Sequence, residues 1–207
     1  MIPVLNVRTT NSWPRWLLAF SLCATGFINP SLSWADFAMG QPAHAEEGEY
    51  SEQVYLSEAQ ALKQVFGDLQ IETQILKPTA AQRKALQKHL RRKLEEPQYT
   101  LYVGKKAGKI LRYALILDEK GKHYPITFIV AMTPTASVDQ VAVMVYRERR
   151  GDGVKRQRFL KQFKGKSPPD ALEVNRDIVH ITGSTISSWS IAAGVRKAVA
   201  LLEMLVV

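Results

Sequence analysis

Four apolar runs, Tyr99–Val103, Ile110–Leu117, Ile126–Met132 and Val138–Tyr146, follow one another with only a few residues between them. The connections, Gly104-Lys105-Lys106-Ala107-Gly108, Asp118-Glu119-Lys120-Gly121 and Thr133-Pro134-Thr135, have the composition of turns. Parallel neighbours need a crossover of a dozen or more residues, and none of these connections has that length. The runs therefore predict a meander of antiparallel strands.

Helical signals flank the meander. Ser57-Glu58-Ala59-Gln60 is a capping box, Leu62, Val65 and Phe66 supply an apolar stripe, and Gly67 ends the helix. Leu69–Leu76 is strand-like. Thr79-Ala80-Ala81-Gln82 opens a second helix in which Leu86, Leu90 and Leu94 recur every four residues, stopping before Pro97. Beyond the strands, Arg156–Phe163 predicts a short helix, Pro168-Pro169 a break, and Ile178–Thr182 a last extended piece. A closing helix over 188–203 carries Ile191, Val195, Ala198, Val199 and Leu202 on one face. The expectation is an α+β fold, an antiparallel sheet with flanking helices, divided into an N-terminal helical portion at 54–97 and a main domain at 98–207.

The first residues read as a targeting segment. Arg8 and Arg15 make a positive n-region, Trp16–Ile28 an apolar run too short for a comfortable span, and Ser33-Trp34-Ala35 a small-residue cleavage site. Ala43-His44-Ala45 is a second candidate site, and a retained signal anchor is the alternative to cleavage. Residues 1–35 are thus expected to be a signal peptide and 36–53 a polar, flexible leader. Cys23, the single cysteine of the 207 residues, lies in the expected signal peptide, so cleavage would leave no disulfide, thiolate metal site or cysteine nucleophile. Localisation is then expected to be the periplasm or the outer face of the inner membrane.

The formal charge is +9, and loss of Arg8 and Arg15 leaves +7. Arg83, Lys84, Lys88, Arg91, Arg92 and Lys93 form one cluster; Arg147, Arg149, Arg150, Lys155, Arg156 and Arg158 form another. Such surfaces attract nucleic acid, anionic membranes or acidic proteins. Export excludes nucleic acid as a partner, leaving a membrane surface, an acidic redox partner or plain solvated surface.

Thr182-Gly183-Ser184-Thr185-Ile186-Ser187-Ser188 is a small, hydroxyl-rich turn leading into the closing helix. A helix start offers unpaired N–H groups and the positive end of the macrodipole, a seat for phosphate. The same residues would also serve as an ordinary Ser/Thr helix cap. This stretch resembles the S/T-G-A-T flavinylation motif of the FMN-binding domain family, which includes the FMN-carrying subunits of Rnf-type and sodium-translocating NADH:quinone oxidoreductase complexes. Gly121–Val130, Val143–Glu148 and Arg158–Lys166 resemble that family's segments in the same order, so the resemblance covers about residues 99–205. Ser184 replaces the usual Ala, and Val179 stands where the family often has Asp.

The resemblance implies FMN held covalently by a phosphoester on Thr185. It also implies a separate flavin transferase using FAD and Mg²⁺, so that the chain is the transferase's substrate and an electron carrier rather than a stand-alone enzyme. Thr182, Gly183, Ser184, Ser187 and Ser188 would contact the cofactor, with His123 and Tyr124 bordering the isoalloxazine or packing a turn. Arg147 and Glu148 would hold the flavin loop or form a surface ion pair. His180 is a packed or surface histidine, and Gly151-Asp152-Gly153 a turn between basic strand ends. No catalytic residue and no metal site is expected: there is no His-x-x-x-His pair, P-loop or Gly-x-Gly-x-x-Gly. The implied function is an exported flavoprotein passing electrons between a membrane redox partner and another carrier. Its rivals are a non-redox exported module docking on a membrane protein or anionic envelope surface, and a flavin-dependent reductase with its own substrate.

Overall fold

A computed structural model describes residues 52–207. The expected signal peptide and the leader through residue 51 lie outside the described residues. The strands are β1 (Gln53–Val54), β2 (Gln70–Leu76), β3 (Tyr99–Lys106), β4 (Lys109–Lys120), β5 (Pro125–Met132) and β6 (Val138–Tyr146). They form one open sheet in the order β1-β6-β5-β4-β3-β2, with every pair antiparallel. The four expected strands are all present, and their short turns make them sequential neighbours.

Directly opposed residues share a face of a sheet. The register aligns Leu101, Leu115, Val130 and Val141 on one face and Tyr102, Ala114 and Ala131 on the other. Helix α1 (Glu58–Phe66) covers the second face with Ala61, Val65 and Phe66. Helices α2 (Ala80–Leu90) and α4 (Thr185–Leu205) cover the first, together with the short α3 (Gln157–Leu160). The sheet is thus sandwiched between helical layers, and the larger core lies beneath α4. The stripe Leu86, Leu90 and Leu94 is buried there as its spacing predicts.

Residues 54–97 contribute more than helices. β2 pairs along its whole length with β3. The two-residue β1 closes the far edge against β6, a strand expected from neither pattern nor propensity. The extended piece expected at Ile178–Thr182 joins no sheet. Ile178 makes an isolated bridge with Val174, Val179 bonds the side-chain amide of Gln162 through its N–H at 2.8 Å and its carbonyl at 3.0 Å, and Ile181 N donates to Ser188 Oγ at 3.3 Å.

A buried ionic group locks α4 to the sheet. Lys197 is only 3% exposed and lies 2.9 Å from Glu96 and 2.8 Å from Glu119. Arg92 grips Glu119 through two 2.7 Å bonds. Burial works against the Glu96 carboxylate, yet the hydrogen bond from Lys197 and its charge hold the carboxyl below its ordinary range. The bond to Glu119, outweighing desolvation, raises Arg92. Arg83 likewise spends its guanidinium on the carbonyls of Leu94 and Glu96. Two residues of the first basic cluster, Arg83 and Arg92, are therefore structural.

Candidate functional site at the head of the C-terminal helix

The closing helix begins at Thr185, three residues earlier than its apolar pattern predicts. Ser188 N bonds Ser184 O at 2.9 Å, the first turn of the helix. The N–H groups of Thr185, Ile186 and Ser187 precede that bond and have no intrahelical acceptor. No side chain caps them, although Ser184 occupies the N-cap position. The contrast within the chain is sharp. α1 and α2 both carry complete capping boxes, Ser57 with Gln60 and Thr79 with Gln82. The longest helix, with the most hydroxyls at its head, leaves its first turn open, so the helix-cap alternative is not what this geometry shows.

The hydroxyls divide into two sets. Ser187 and Ser188 are buried: Ser187 Oγ lies 2.8 Å from the Tyr146 hydroxyl, and Ser188 Oγ donates to Ser184 O at 2.8 Å. Ser190 Oγ donates to Lys120 O at 2.6 Å. Thr182 and Thr185, in contrast, are exposed, with no hydrogen-bond partner for either hydroxyl among the described residues. Gly183 between them has φ 79°, the left-handed region that lets the chain turn into the helix. Of the expected contact residues, Thr182, Gly183 and Thr185 face solvent. Ser184, Ser187 and Ser188 lie inside and support the turn from below.

That support comes from a loop that sequence reading treats as a simple turn. Gly151 (φ 94°) sits against the first turn of α4: a Cβ there would stand 2.7 Å from the Tyr146 hydroxyl and 3.0 Å from Ser187 Oγ. At Gly153 a Cβ would stand 2.9 Å from Ser184 Oγ. Gly151-Asp152-Gly153 is therefore the bed on which the motif rests. Only glycine lets the loop backbone come this close to those side chains.

His123 and Tyr124 stand on the β4–β5 turn. Their N–H groups both donate to Glu148 Oε1, at 2.5 and 3.0 Å. Glu148 is buried, and its role is to hold this turn. The ion pair with Arg147 is not made; Arg147 reaches Thr127 Oγ1 at 2.9 Å and Glu52 at 3.8 Å. Through the Ser190–Lys120 bond the turn abuts α4, about 7.5 Å along the axis from Thr185. His123 also lines an open cavity of about 520 Å³ with Glu95, Glu96, Asp118, Lys120 and Pro125. His180 pairs with Asn175 at 3.2 Å. Among the described residues, no group of three or more His, Cys, Asp or Glu is placed to hold a metal ion, and no helix is long and apolar enough to cross a membrane.

Fold and site together define an α+β protein whose open antiparallel sheet and glycine loop present one threonine hydroxyl at an uncapped helix head. No protein-family model matches the chain. Over 106 residues, 47% of its length, the chain is 33% identical to a subunit of the proton-translocating ferredoxin:NAD(+) oxidoreductase complex of Clostridium ljungdahlii. It spans 57% of that relative's length. This likeness supports the resemblance to the FMN-binding domain family carried by Thr182–Ser188.

Proposed function

We propose that this chain is an exported flavoprotein electron carrier with FMN attached through a phosphoester to Thr185. Residues 98–207 are its FMN-binding-domain-like portion, and it works beside a membrane redox partner. The observation that carries the reading is the free Thr185 hydroxyl at the uncapped head of α4. The likeness to a subunit of an oxidoreductase complex supports electron transfer.

The residues present fit a phosphodiester. Three N–H groups point out of the helix head without acceptors, the macrodipole favours an anion, and Asp152, the acid in the supporting loop, is neutralised by Lys155 at 2.8 Å. In attachment, the Thr185 Oγ1–phosphorus bond forms as the pyrophosphate linkage of FAD breaks. AMP leaves, and the hydroxyl proton passes to the transferase. Among the described residues no base touches Thr185 Oγ1, which supports activation of the hydroxyl by a separate, Mg²⁺-dependent transferase. Once bound, FMN supplies the electron chemistry, while Ser184, Ser187, Tyr146 and the glycine loop fix where its phosphate stands.

Co-expression with a flavin transferase tests the reading. The expected result is a mass gain of FMN less one water on the peptide containing Thr185, absent from Thr185→Ala and partly kept by Thr185→Ser. A colourless wild-type protein under these conditions would replace it with the non-redox binding module. A label on Thr182 would show the register to be wrong. Fractionation of the native host tests export; full-length protein in the cytosol contradicts it.

A further inference from the structure

We propose that Trp189 is the stacking face for the isoalloxazine of a flavin tethered at Thr185, an inference that rests on attachment at that residue. Large apolar side chains are mostly buried in this fold. Of the eight that are exposed among the described residues, Val179, Ile186 and Trp189 flank or follow the motif. Ile186 is 49% and Trp189 47% exposed, on the first two turns of α4. Trp189 is the only tryptophan after residue 34. An indole presents one of the largest apolar surfaces of any side chain, and leaving it in water on a well-packed helix calls for a cover.

Helix geometry says what that cover is. Residues four apart lie on one face, with Cβ atoms about 5–6 Å apart, so Trp189 stands directly beyond Thr185. Helical Cα–Cβ bonds tilt toward the N-terminus, which leans the indole back over the turn that begins at Thr185. Ile186, three residues before Trp189, borders the same strip. A ring on a flexible ribityl chain esterified at Thr185 needs to fold back by only one helical turn, about 5.4 Å, to reach it. Because tether and indole belong to one helix, their encounter is intramolecular and precedes that of any second protein. The other candidate seat is the open cavity lined by His123, Glu95, Glu96, Asp118, Lys120 and Pro125, and Thr185 is not among the residues that line it.

The experiment uses the full chain, flavinylated by co-expression, with attachment at Thr185 verified by peptide mass. Flavin emission per bound flavin is compared between wild type, Trp189→Ala, Trp189→Phe and His123→Ala. A stacked indole quenches the flavin, so wild type is expected to emit several-fold less than free FMN and Trp189→Ala to recover most of that loss. Trp189→Phe should keep the ring shielded from iodide while restoring part of the emission. Trp189 is exposed, and circular dichroism of the variants should match wild type. If Thr185 carries the flavin and Trp189→Ala leaves emission unchanged, the stacking face is wrong while attachment stands. If His123→Ala brightens the flavin and Trp189→Ala does not, the ring sits at the 121–124 turn and the proposal is overturned. If wild-type Thr185 carries no flavin, the attachment reading itself fails and the stacking face falls with it.

Discussion

The Tyr146 hydroxyl lies 2.8 Å from Ser187 Oγ and 2.7 Å from the carbonyl of Arg150. A carbonyl can only accept, so Tyr146 donates its single proton to Arg150 and Ser187 donates to Tyr146. One phenol at the end of β6 thus joins the glycine loop to the first turn of α4. Burial raises its pKa against the opposing effect of the Ser187 bond, so the group remains a neutral donor at physiological pH.

Tyr146→Phe is expected to leave both partners unsatisfied in a buried site and to cost about 1–3 kcal/mol in denaturant unfolding. Flavin attachment at Thr185 should fall with it. The exposed Thr185→Ala should shift stability by less than about 0.5 kcal/mol. Equal stability losses for the two variants would contradict the division into supporting and presented hydroxyls.

Gly151→Ala and Gly165→Ala separate contact from strain. Both glycines have positive φ, 94° and 80°, so an alanine costs about 1 kcal/mol at either in backbone conformation. Only at Gly151 does the new Cβ meet the Tyr146 hydroxyl and Ser187 Oγ. The denaturation midpoint should therefore drop further for Gly151→Ala, and only that variant should impair flavin attachment.

Much of this architecture is legible in the sequence because its strands bury one or both faces, which writes alternation or continuous apolarity into residues 99–146. The Leu86, Leu90 and Leu94 spacing is legible for the same reason. β1 is not, because two exposed residues joined to β6 by backbone bonds leave no side-chain pattern. The early start of α4 is hidden by residues whose hydroxyls favour turns, Thr185, Ser187 and Ser188, until tertiary partners claim the serines. The proposed role of Thr185 comes from its motif. The seat beneath it is not legible, since Gly151 and Gly153 meet Ser187 and Ser184 across thirty or more intervening residues and spacing along the chain carries no trace of that contact.

Lys197→Met should be costly despite a good fit for the methylene stem. Removing one member of a buried ion group strands the others, at about 3–5 kcal/mol. Glu119 keeps Arg92, so the Lys197→Met, Glu119→Gln double variant should lose less than the sum of the two singles, as a double-mutant cycle in urea would measure. Strict additivity would mean that the two groups do not interact.

Asp177 gives the fold an acid limit near the motif. Burial opposes its ionisation, but the N–H groups of Glu173 and Leu172 and the ammonium of Lys166 hold its carboxyl below the ordinary range. A depressed folded pKa contributes stability that is complete above the unfolded pKa and is lost as pH falls through the folded value. Asp177→Asn should therefore be less stable than wild type at pH 7, with the difference in melting temperature narrowing as pH falls through ~4. A gap independent of pH would exclude this role.

The contacts that seat Thr185 have a consequence for timing. Ser190 reaches back 70 positions to Lys120 and Ser187 reaches back 41 to Tyr146. A ribosome makes every one of those earlier partners before Thr185 exists. A chain whose strands have not closed therefore lacks the partners that seat the turn displaying Thr185. If Thr185 is the acceptor proposed above, loading of a cofactor would read out completed folding, and a modifying enzyme that recognises the finished turn would discriminate mature chains from immature ones without any separate inspection step.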